Sequence, residues 1–385
     1  MRRIKSDRII SGGKEISGYV YFDGGKIVEV TDEDLPCEYE YDATGKYVSA
    51  GFIDIHTHGG GGYAFEADEE SVVKGCNFHL THGTTSICPT VSASYISDMR
   101  RSVESISRAS ENPELLSHII GAHLEGPYLS PVQTGAQGAE FITPPVKEDY
   151  ESFISDFGGA IVRWSYAPEN DTDNEFLNCL RANGIVASAG HTNAVYSDMK
   201  RALLSGCNLV THLYSCTSTV TRSFGFRSLG VIESAFLEDD MYVEIIADGK
   251  HLPLELIRMI YKIKGSDRIA LVTDSLSLAG TDVKTGRMQS TDFIIEDGVC
   301  KLLDRSAFAG SVATADRLVR VLSKEVGISL VEAVKMITKT PAKIMGLDGR
   351  GDLLCGMDAD IVVFDGDVNV QSVFVDGELV FEKTV

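Results

Sequence analysis

Two histidines, His56 and His58, follow a mostly apolar run and are separated by a single residue. The run, residues 51–55, lies between glycines, which is typical of a buried strand. Because alternate side chains of a strand point to the same face, the two imidazoles can bind one metal ion together. The spacing alone also allows a simpler interpretation, in which the pair only forms hydrogen bonds.

Strand-like and helix-like segments alternate through the centre of the chain, which is typical of a parallel sheet built from βα repeats. Eight such units predict an α/β fold, a (β/α)8 TIM-like barrel, whose active site lies at the C-terminal ends of the strands. The predicted strands end near His56, Ser86, Leu124, Tyr166, Ala189, Leu213, Ala247 and Thr273.

Both ends of the chain alternate apolar and polar residues with frequent turn signals, which predicts short antiparallel strands. Each end is too short to bury a core alone, so we expect them to pair. The predicted organisation is a small β domain from residues 1–50 and 350–385, and a barrel domain at 51–349.

Further residues that could do chemistry lie at other predicted strand ends. They are two carboxylates and three histidines: Glu125, Asp274, His191, His212 and His251. In a barrel these side chains converge on one rim together with His56 and His58. Burying so many polar groups without compensation is costly, and a divalent cation is the simplest compensation. The convergence therefore favours metal binding over the hydrogen-bonding interpretation.

The net charge of −21 over 385 residues argues against nucleic acid and against an anionic membrane as partners. An anionic substrate would need a local cation, which screening at physiological salt allows to act at short range. We find no apolar segment at the N-terminus that resembles a signal peptide, and the eight cysteines form no C-x-x-C pair. These features favour reduced thiols and a cytoplasmic location.

The sequence resembles the amidohydrolase superfamily, and within it the N-acetylglucosamine-6-phosphate deacetylases, nearly from end to end. The motifs that carry the resemblance are Gly51-Phe52-Ile53-Asp54-Ile55-His56-Thr57-His58-Gly59, His123-Leu124-Glu125-Gly126-Pro127, Ala189-Gly190-His191-Thr192, Thr211-His212-Leu213-Tyr214, Ile246-Ala247-Asp248-Gly249-Lys250-His251, Leu271-Val272-Thr273-Asp274 and Ala309-Gly310-Ser311. The Glu-Gly-Pro and Ala-Asp-Gly-x-His elements narrow the resemblance to the deacetylases. The resemblance implies hydrolysis of N-acetyl-D-glucosamine 6-phosphate in amino-sugar catabolism.

The resemblance also implies two metal positions. The first metal position consists of Glu125, His191 and His212. The second metal position consists of His56, His58, Glu125 and Asp274, with Glu125 as a bridge. Some family members lack the His-x-His pair and use one ion, so one or two ions per subunit are expected. Zinc is the first choice for these ligands, and iron(II) also suits them.

The remaining roles follow from the same resemblance. Asp274 would be the catalytic acid and base, and His251 would contact the sugar or the developing oxyanion. Arg227 would bind the phosphate from the neighbouring subunit of a homodimer, with Arg222 as a nearby competitor. Further substrate contacts are expected from Ala136, Ser215, Cys216 and Gly310.

One departure from the family's sequence pattern leaves open which amino sugar is the substrate. The family usually has Asn-Ala-Met where this chain has Ser215-Cys216-Thr217, and a serine cannot reach as far as an asparagine amide. The galactosamine isomer is therefore an alternative substrate. Another cyclic amidohydrolase activity is a second alternative, although the predicted fourth strand ends without the lysine that those relatives usually carry. A scaffold without activity is a third.

Overall fold

The computed structural model describes residues 1–384 and contains a barrel of eight parallel strands, which we label β1 to β8 in chain order. Helices follow the strands, so the predicted (β/α)8 TIM-like barrel is confirmed. The strands are Phe52–Thr57, Thr84–Ser92, Ala122–Glu125, Ile161–Tyr166, Val186–Ala189, Leu209–Val210, Tyr242–Ile245 and Ile269–Leu271.

Each barrel strand pairs in parallel with the next one along the chain, from β1 to β8. The ring closes where the segment after β8 returns to β1. There the amide of Asp274 donates to the carbonyl of His56 at 2.9 Å, and the amide of His58 donates to the carbonyl of Ser275 at 2.8 Å. Closure therefore occurs at the residues that were predicted to do chemistry.

The helices begin and end with recognisable local signals. The first begins after Asp68, whose carboxylate accepts from the Ser71 amide, and the helix before Gly265 ends where that glycine adopts a φ of +67°. The α-helices are Glu69–Leu80, Ile96–Ala109, Lys147–Phe157, Glu175–Ala182, Tyr196–Leu204, Val231–Leu237, Leu254–Lys264, Ala315–Arg320, Leu330–Ile337 and Lys339–Met345. Short 3-10 turns span Ala139–Phe141 and Pro168–Asn170, and a π-helix spans Val321–Val326.

One predicted strand end is wrong. Strand β2 does not end near Ser86 but continues through Pro89 to Ser92, with every side chain buried. A proline removes one N–H, yet the carbonyls and the remaining amides of the strand still pair with β1 and β3. As a result, Thr90 and Ser92 reach the C-terminal rim of the barrel.

The two chain ends form one eight-stranded sheet, as the sequence predicted. Its path runs through Glu378–Glu382, Val370–Val375, Ile361–Phe364, Tyr47–Ala50, Arg2–Ser11, Lys14–Asp23 and Lys26–Thr31, with Tyr39–Asp42 beside Arg2–Ser11. The strand before the barrel, Tyr47–Ala50, pairs with Ile361–Phe364 in antiparallel register. The domain boundaries at 50 and 350 remain predictions.

Three smaller sheets decorate the barrel. A three-stranded sheet, Thr285–Met288, Thr291–Glu296 and Val299–Leu302, brings Met288 to a cavity at the C-terminal rim of the barrel. Two hairpins are Gly59–Gly60 with Tyr63–Ala64, and Thr221–Ser223 with Phe226–Ser228. Within residues 1–384, no helix combines the length and the apolar composition needed to cross a bilayer.

Candidate metal centre

The C-terminal ends of the barrel strands bring six buried side chains into one cluster. They form three overlapping groups, and within each group one ligand atom of every residue lies within 4.8 Å of the others. The groups are Glu125 with His191 and His212, His56 with His58 and Glu125, and His56 with His212 and Asp274. Every residue that was expected at a metal position lies in this cluster.

Glu125 lies between the two halves of the cluster. Its Oε1 is 3.2 Å from His191 Nε2 and 3.0 Å from His212 Nε2. Its Oε2 is 3.3 Å from His58 Nε2 and accepts a 2.7 Å hydrogen bond from Nε2 of the Gln137 side chain. One carboxylate thus faces both proposed metal positions, which is the geometry that a bridging ligand requires.

Backbone carbonyls orient the histidines of the first metal position. His191 Nδ1 lies 2.9 Å from the carbonyl of Gln133, and His212 Nδ1 lies 3.1 Å from the carbonyl of Ser215. Because a carbonyl only accepts, each Nδ1 must carry the proton. The lone pair of each Nε2 then faces the cluster, which is the arrangement that metal-binding histidines use.

Side chains orient the histidines of the second metal position. His58 Nδ1 lies 3.1 Å from Ser92 Oγ, and His56 Nδ1 lies 3.5 Å from Glu244 Oε2. His56 Nε2 is buried without a hydrogen-bond partner among the described residues, 3.4 Å from Glu125 and 3.5 Å from Asp274. A buried ring nitrogen directed at two carboxylates, yet hydrogen-bonded to neither, fits a divalent cation between them.

Three residues of the cluster have left-handed backbone conformations. The φ angles are +47° at His191, +28° at His212 and +48° at Asp274. Such conformations cost side-chain-bearing residues roughly 1–3 kcal/mol each and are typical of functional sites. At each position the chain leaves a barrel strand, so the turn directs the side chain to the rim.

The imidazoles and carboxylates of the cluster shift each other's pKa values towards the charged forms. Burial opposes ionisation of Glu125, but the surrounding imidazoles, His56 foremost, hold the pKa of this carboxyl well below its usual range. Burial likewise opposes protonation of His56 and His58, yet Glu125 and Asp274 raise their pKa values to about 9 and about 10. Without a metal ion, protons on His56 and His58 therefore offset the negative charges of Glu125 and Asp274. A divalent cation would displace these protons when it binds.

His251 lies in the loop after β7 and faces the same cavity. Its Nδ1 is 3.0 Å from Asp248 Oδ2, and its ring packs against Phe308 with centroids 4.9 Å apart. Burial opposes ionisation of Asp248, but its hydrogen bonds with His251 hold the pKa of this carboxyl below its usual value. Asp248 thus fixes the imidazole and leaves Nε2 available to a substrate.

The other expected contacts divide into two sets. Ala136, Ser215, Cys216 and Gly310 line one cavity together with Asp274 and His251. In contrast, the structure does not bring Arg222 or Arg227 to that cavity, because they face each other across the exposed hairpin Thr221–Ser223 and Phe226–Ser228. Within the described part of the chain, no lysine or arginine lines the cavity.

Several residues of the site were not assigned a role from the sequence. Gln137 holds Glu125, Ser92 holds His58, and Tyr214, Leu276 and Met288 line the cavity. Glu244 and Arg163 lie beneath the cluster inside the apolar strands β7 and β4. A charged residue within a buried strand was the available signal for these two, whereas no local signal marks Ser92 or Met288.

A fourth group of potential ligands lies away from this site. His118 Nε2 is 3.4 Å from Asp360 and 3.6 Å from Asp376, at the boundary between barrel and terminal sheet. Arg350 Nε approaches Asp360 to 3.7 Å. A cation of the protein already offsets this carboxylate, so the group is accounted for as an ion-pair cluster.

Comparison with known proteins agrees with the site. The Amidohydrolase family matches residues 47–380. The chain is 31% identical over 388 residues to the N-acetylglucosamine-6-phosphate deacetylase of Bacillus subtilis (98% and 96% of the two chains covered). It is 30% identical over 345 residues to the N-acetylgalactosamine-6-phosphate deacetylase of a Shewanella strain (89% and 85% covered).

The fold is similar to a solved structure of the N-acetyl-D-glucosamine-6-phosphate deacetylase of Mycobacterium smegmatis in complex with N-acetyl-D-glucosamine 6-phosphate. The TM-score is 0.91 at 26% sequence identity, with 98% of each chain covered. The resemblance predicted from the motifs is confirmed by these matches, which span most of the sequence. The chain therefore belongs to the amidohydrolase family.

Proposed function

We propose that this protein hydrolyses N-acetyl-D-glucosamine 6-phosphate to D-glucosamine 6-phosphate and acetate. The observation that carries the proposal is the buried cluster of imidazoles and carboxylates facing a cavity that also holds Asp274 and His251. The names of the relatives in Bacillus subtilis and Mycobacterium smegmatis support this substrate. The cytoplasm is the proposed location, since all eight cysteines are free thiols.

The cluster fits one or two divalent cations. Zinc suits the imidazole and carboxylate donors, and iron(II) is the alternative. When bound, such a cation lowers the pKa of a coordinated water towards about 7 and polarises the carbonyl of the acetyl group. Glu125, His191 and His212 would hold the first ion, and His56, His58, Glu125 and Asp274 the second.

Asp274 is the proposed proton carrier. Its carboxylate lines the cavity, and its Oδ1 lies 3.2 Å from His58 Nε2. In the metal-free protein burial opposes its ionisation, but His56 and His58 hold the pKa of this carboxyl below its usual value. A cation beside the carboxylate would also favour the ionised form, so Asp274 starts as a base. It accepts the proton of the attacking water and delivers it to the amine nitrogen as the carbon–nitrogen bond breaks.

His251, which lines the same cavity, is a further proposed substrate contact. Because Asp248 occupies Nδ1, the remaining Nε2 meets either a sugar hydroxyl or the oxygen on which charge develops. The backbone around Ala136 and Gly310 and the loop at Ser215 and Cys216 complete the proposed sugar contacts.

Arg227 of a second copy is the proposed phosphate ligand, in a homodimer. Two observations support it. Within the described part of the chain, no lysine or arginine lines the cavity, and the hairpin that carries Arg227 is exposed, with Phe224 and Phe226 at its tip. Exposed aromatic residues are typical of an interface. Arg222, on the facing strand of the hairpin, is the alternative ligand.

The proposed activity is tested by acetate release from three substrates, with and without a chelator. We expect metal-dependent release, fastest from N-acetyl-D-glucosamine 6-phosphate and slowest from the unphosphorylated sugar. Faster release from the galactosamine isomer would favour the second candidate, which the loop at Ser215 and the Shewanella relative support. Absence of metal-dependent release from every one of these sugars would contradict the proposal.

The phosphate assignment is tested by mixing two inactive variants. If Arg227 acts across a dimer, Arg227→Ala and Asp274→Asn subunits form hybrids in which one site keeps both residues. Random mixing should then restore about a quarter of wild-type activity, because half of the dimers are hybrids with one intact site. The matched mixture of Arg222→Ala and Asp274→Asn subunits shows which of the two arginines binds the phosphate. No restoration with either arginine variant would place the phosphate ligand elsewhere.

A further inference from the structure

A buried ion pair lies inside the barrel beneath the metal cluster. Arg163, on β4, and Glu244, on β7, are both fully buried, and the Arg163 guanidinium contacts the Glu244 carboxylate directly. Neither side chain lines the active-site cavity. Any influence of this pair on the reaction must therefore pass through other residues.

Arg163 forms hydrogen bonds with three segments of the chain that lead to cluster residues. It donates to the carbonyl of Ile55 at 2.9 Å, which precedes His56, and to Thr211 Oγ1 at 3.0 Å, which precedes His212. It also donates twice to Ser188 Oγ, at 3.2 Å, on the strand that leads to His191. The planar guanidinium thus fixes the relative positions of three strand ends.

Glu244 contacts two histidines of the metal cluster directly. Its Oε2 lies 3.5 Å from His56 Nδ1 and accepts the amide hydrogen of His212 at 3.3 Å. His212 has another fixed contact, from its Nδ1 to the Ser215 carbonyl. Among residues 1–384, Glu244 is the hydrogen-bond partner of His56 Nδ1, so the orientation of the His56 ring depends on Glu244 more than that of His212 does.

We propose that the Arg163–Glu244 pair is a positioning device that orients His56 and thereby controls occupancy of the second metal position. The inference rests on the proposed function for the identity of that position. With its Nδ1 hydrogen directed at Glu244, the His56 ring presents the Nε2 lone pair to Glu125 and Asp274. A carboxylate behind a ligating imidazole has this effect in metal sites generally.

The rival explanation is that the pair only fills and stabilises the barrel. The two explanations predict different behaviour when both charges are removed together. Replacing a buried ion pair by apolar side chains of similar size is often neutral for folding, whereas removing one partner leaves an unpaired charge. Arg163→Met with Glu244→Leu should therefore fold, while His56 loses its contact.

The experiment is metal titration of purified, chelator-stripped protein, with bound metal counted per chain. We expect two equivalents of Zn²⁺ for the wild type. In Glu244→Gln, which keeps the shape of the side chain, affinity for the second equivalent should fall about 10- to 100-fold while the first is unchanged. The Arg163→Met, Glu244→Leu variant should show the same selective loss.

The matched control is Lys264→Met. Lys264 is another buried cation, and among residues 1–384 its ammonium donates hydrogen bonds to the carbonyls of Ala235 and Glu238, at 2.8 and 2.9 Å. This variant should lose stability and still bind two equivalents. It therefore separates a general loss of folding from a loss of metal positioning.

Three outcomes would overturn the inference: wild-type affinity for both equivalents in the double variant, equal weakening of both equivalents in Glu244→Gln, or a wild type that never binds more than one ion. If the double variant fails to fold, the test is whether Glu244→Gln weakens the second equivalent and leaves the first unchanged. The proposed function is judged separately by acetate release from the wild type. A wild type that binds two ions without releasing acetate would contradict the proposed function and would not contradict the positioning role of the ion pair.

Discussion

The two halves of the metal cluster are built differently. The imidazoles of the first metal position, His191 and His212, are held by backbone carbonyls of the loops after β3 and β6. The imidazoles of the second metal position, His56 and His58, are held by the side chains of Glu244 and Ser92. Glu125 is common to both halves.

This difference predicts different sensitivity to substitution. A carbonyl is present whatever side chain the residue carries, so the first metal position tolerates changes at Gln133 and Ser215. The second metal position needs particular side chains inside the barrel, including a buried carboxylate that would be costly without its partner. We therefore expect substitutions around the ligands to weaken binding of the second ion more than binding of the first.

The largest effect is expected where the two halves meet. Glu125→Ala removes the carboxylate that faces both positions, so neither ion should bind. Acetate release should fall to the uncatalysed background, a loss of at least about 10⁶-fold. Metal analysis and an end-point acetate assay on the folded variant check this. Retention of one tightly bound ion would show that the halves are independent.

A smaller effect is expected from Asp274→Asn, which keeps the shape of the side chain but cannot accept a proton. The value of kcat should fall about 10²- to 10⁴-fold, while the first ion remains bound. Asp316→Asn is the control, because Asp316 is a buried carboxylate that pairs with His82 and Arg320 away from the cluster. A kcat within a factor of about ten of the wild type would exclude the proposed role of Asp274.

The smallest effect concerns pH. Glu125 and Asp274 outweigh burial and raise the pKa values of His56 and His58 to about 9 and about 10. Protons on these rings therefore stabilise the metal-free fold below the usual histidine pKa, and that contribution disappears as pH rises through 9 to 10.

Metal ions need the neutral rings, so they bind more tightly as pH rises. The difference in Tm between metal-loaded and chelated protein should grow by a few degrees from about pH 6 to about pH 9. Thermal melts at matched ionic strength measure it. A difference that shrinks over this range would contradict the assigned charges.

Much of the site could be predicted from the sequence because barrel geometry constrains it. Once eight strands are recognised, Glu125, His191, His212 and Asp274 must meet at one rim, and the structure brings them together. Ala136 and Gly310 followed from motif positions, and they do line the cavity.

The remaining features depend on contacts between distant segments, which leave no local pattern. The end of β2 was predicted near Ser86, but the strand continues through Pro89 and delivers Ser92 to His58. Met288 reaches the cavity from a separate sheet. Arg227 does not line the cavity of its own chain, and sequence could suggest a partner only through the family resemblance.

The most direct test of the two-part centre is metal content in the His56→Ala, His58→Ala double variant. The account predicts two equivalents in the wild type, and in the variant one equivalent held with unchanged affinity by Glu125, His191 and His212. Loss of both equivalents in the folded variant, or a wild type that never holds more than one, would contradict it.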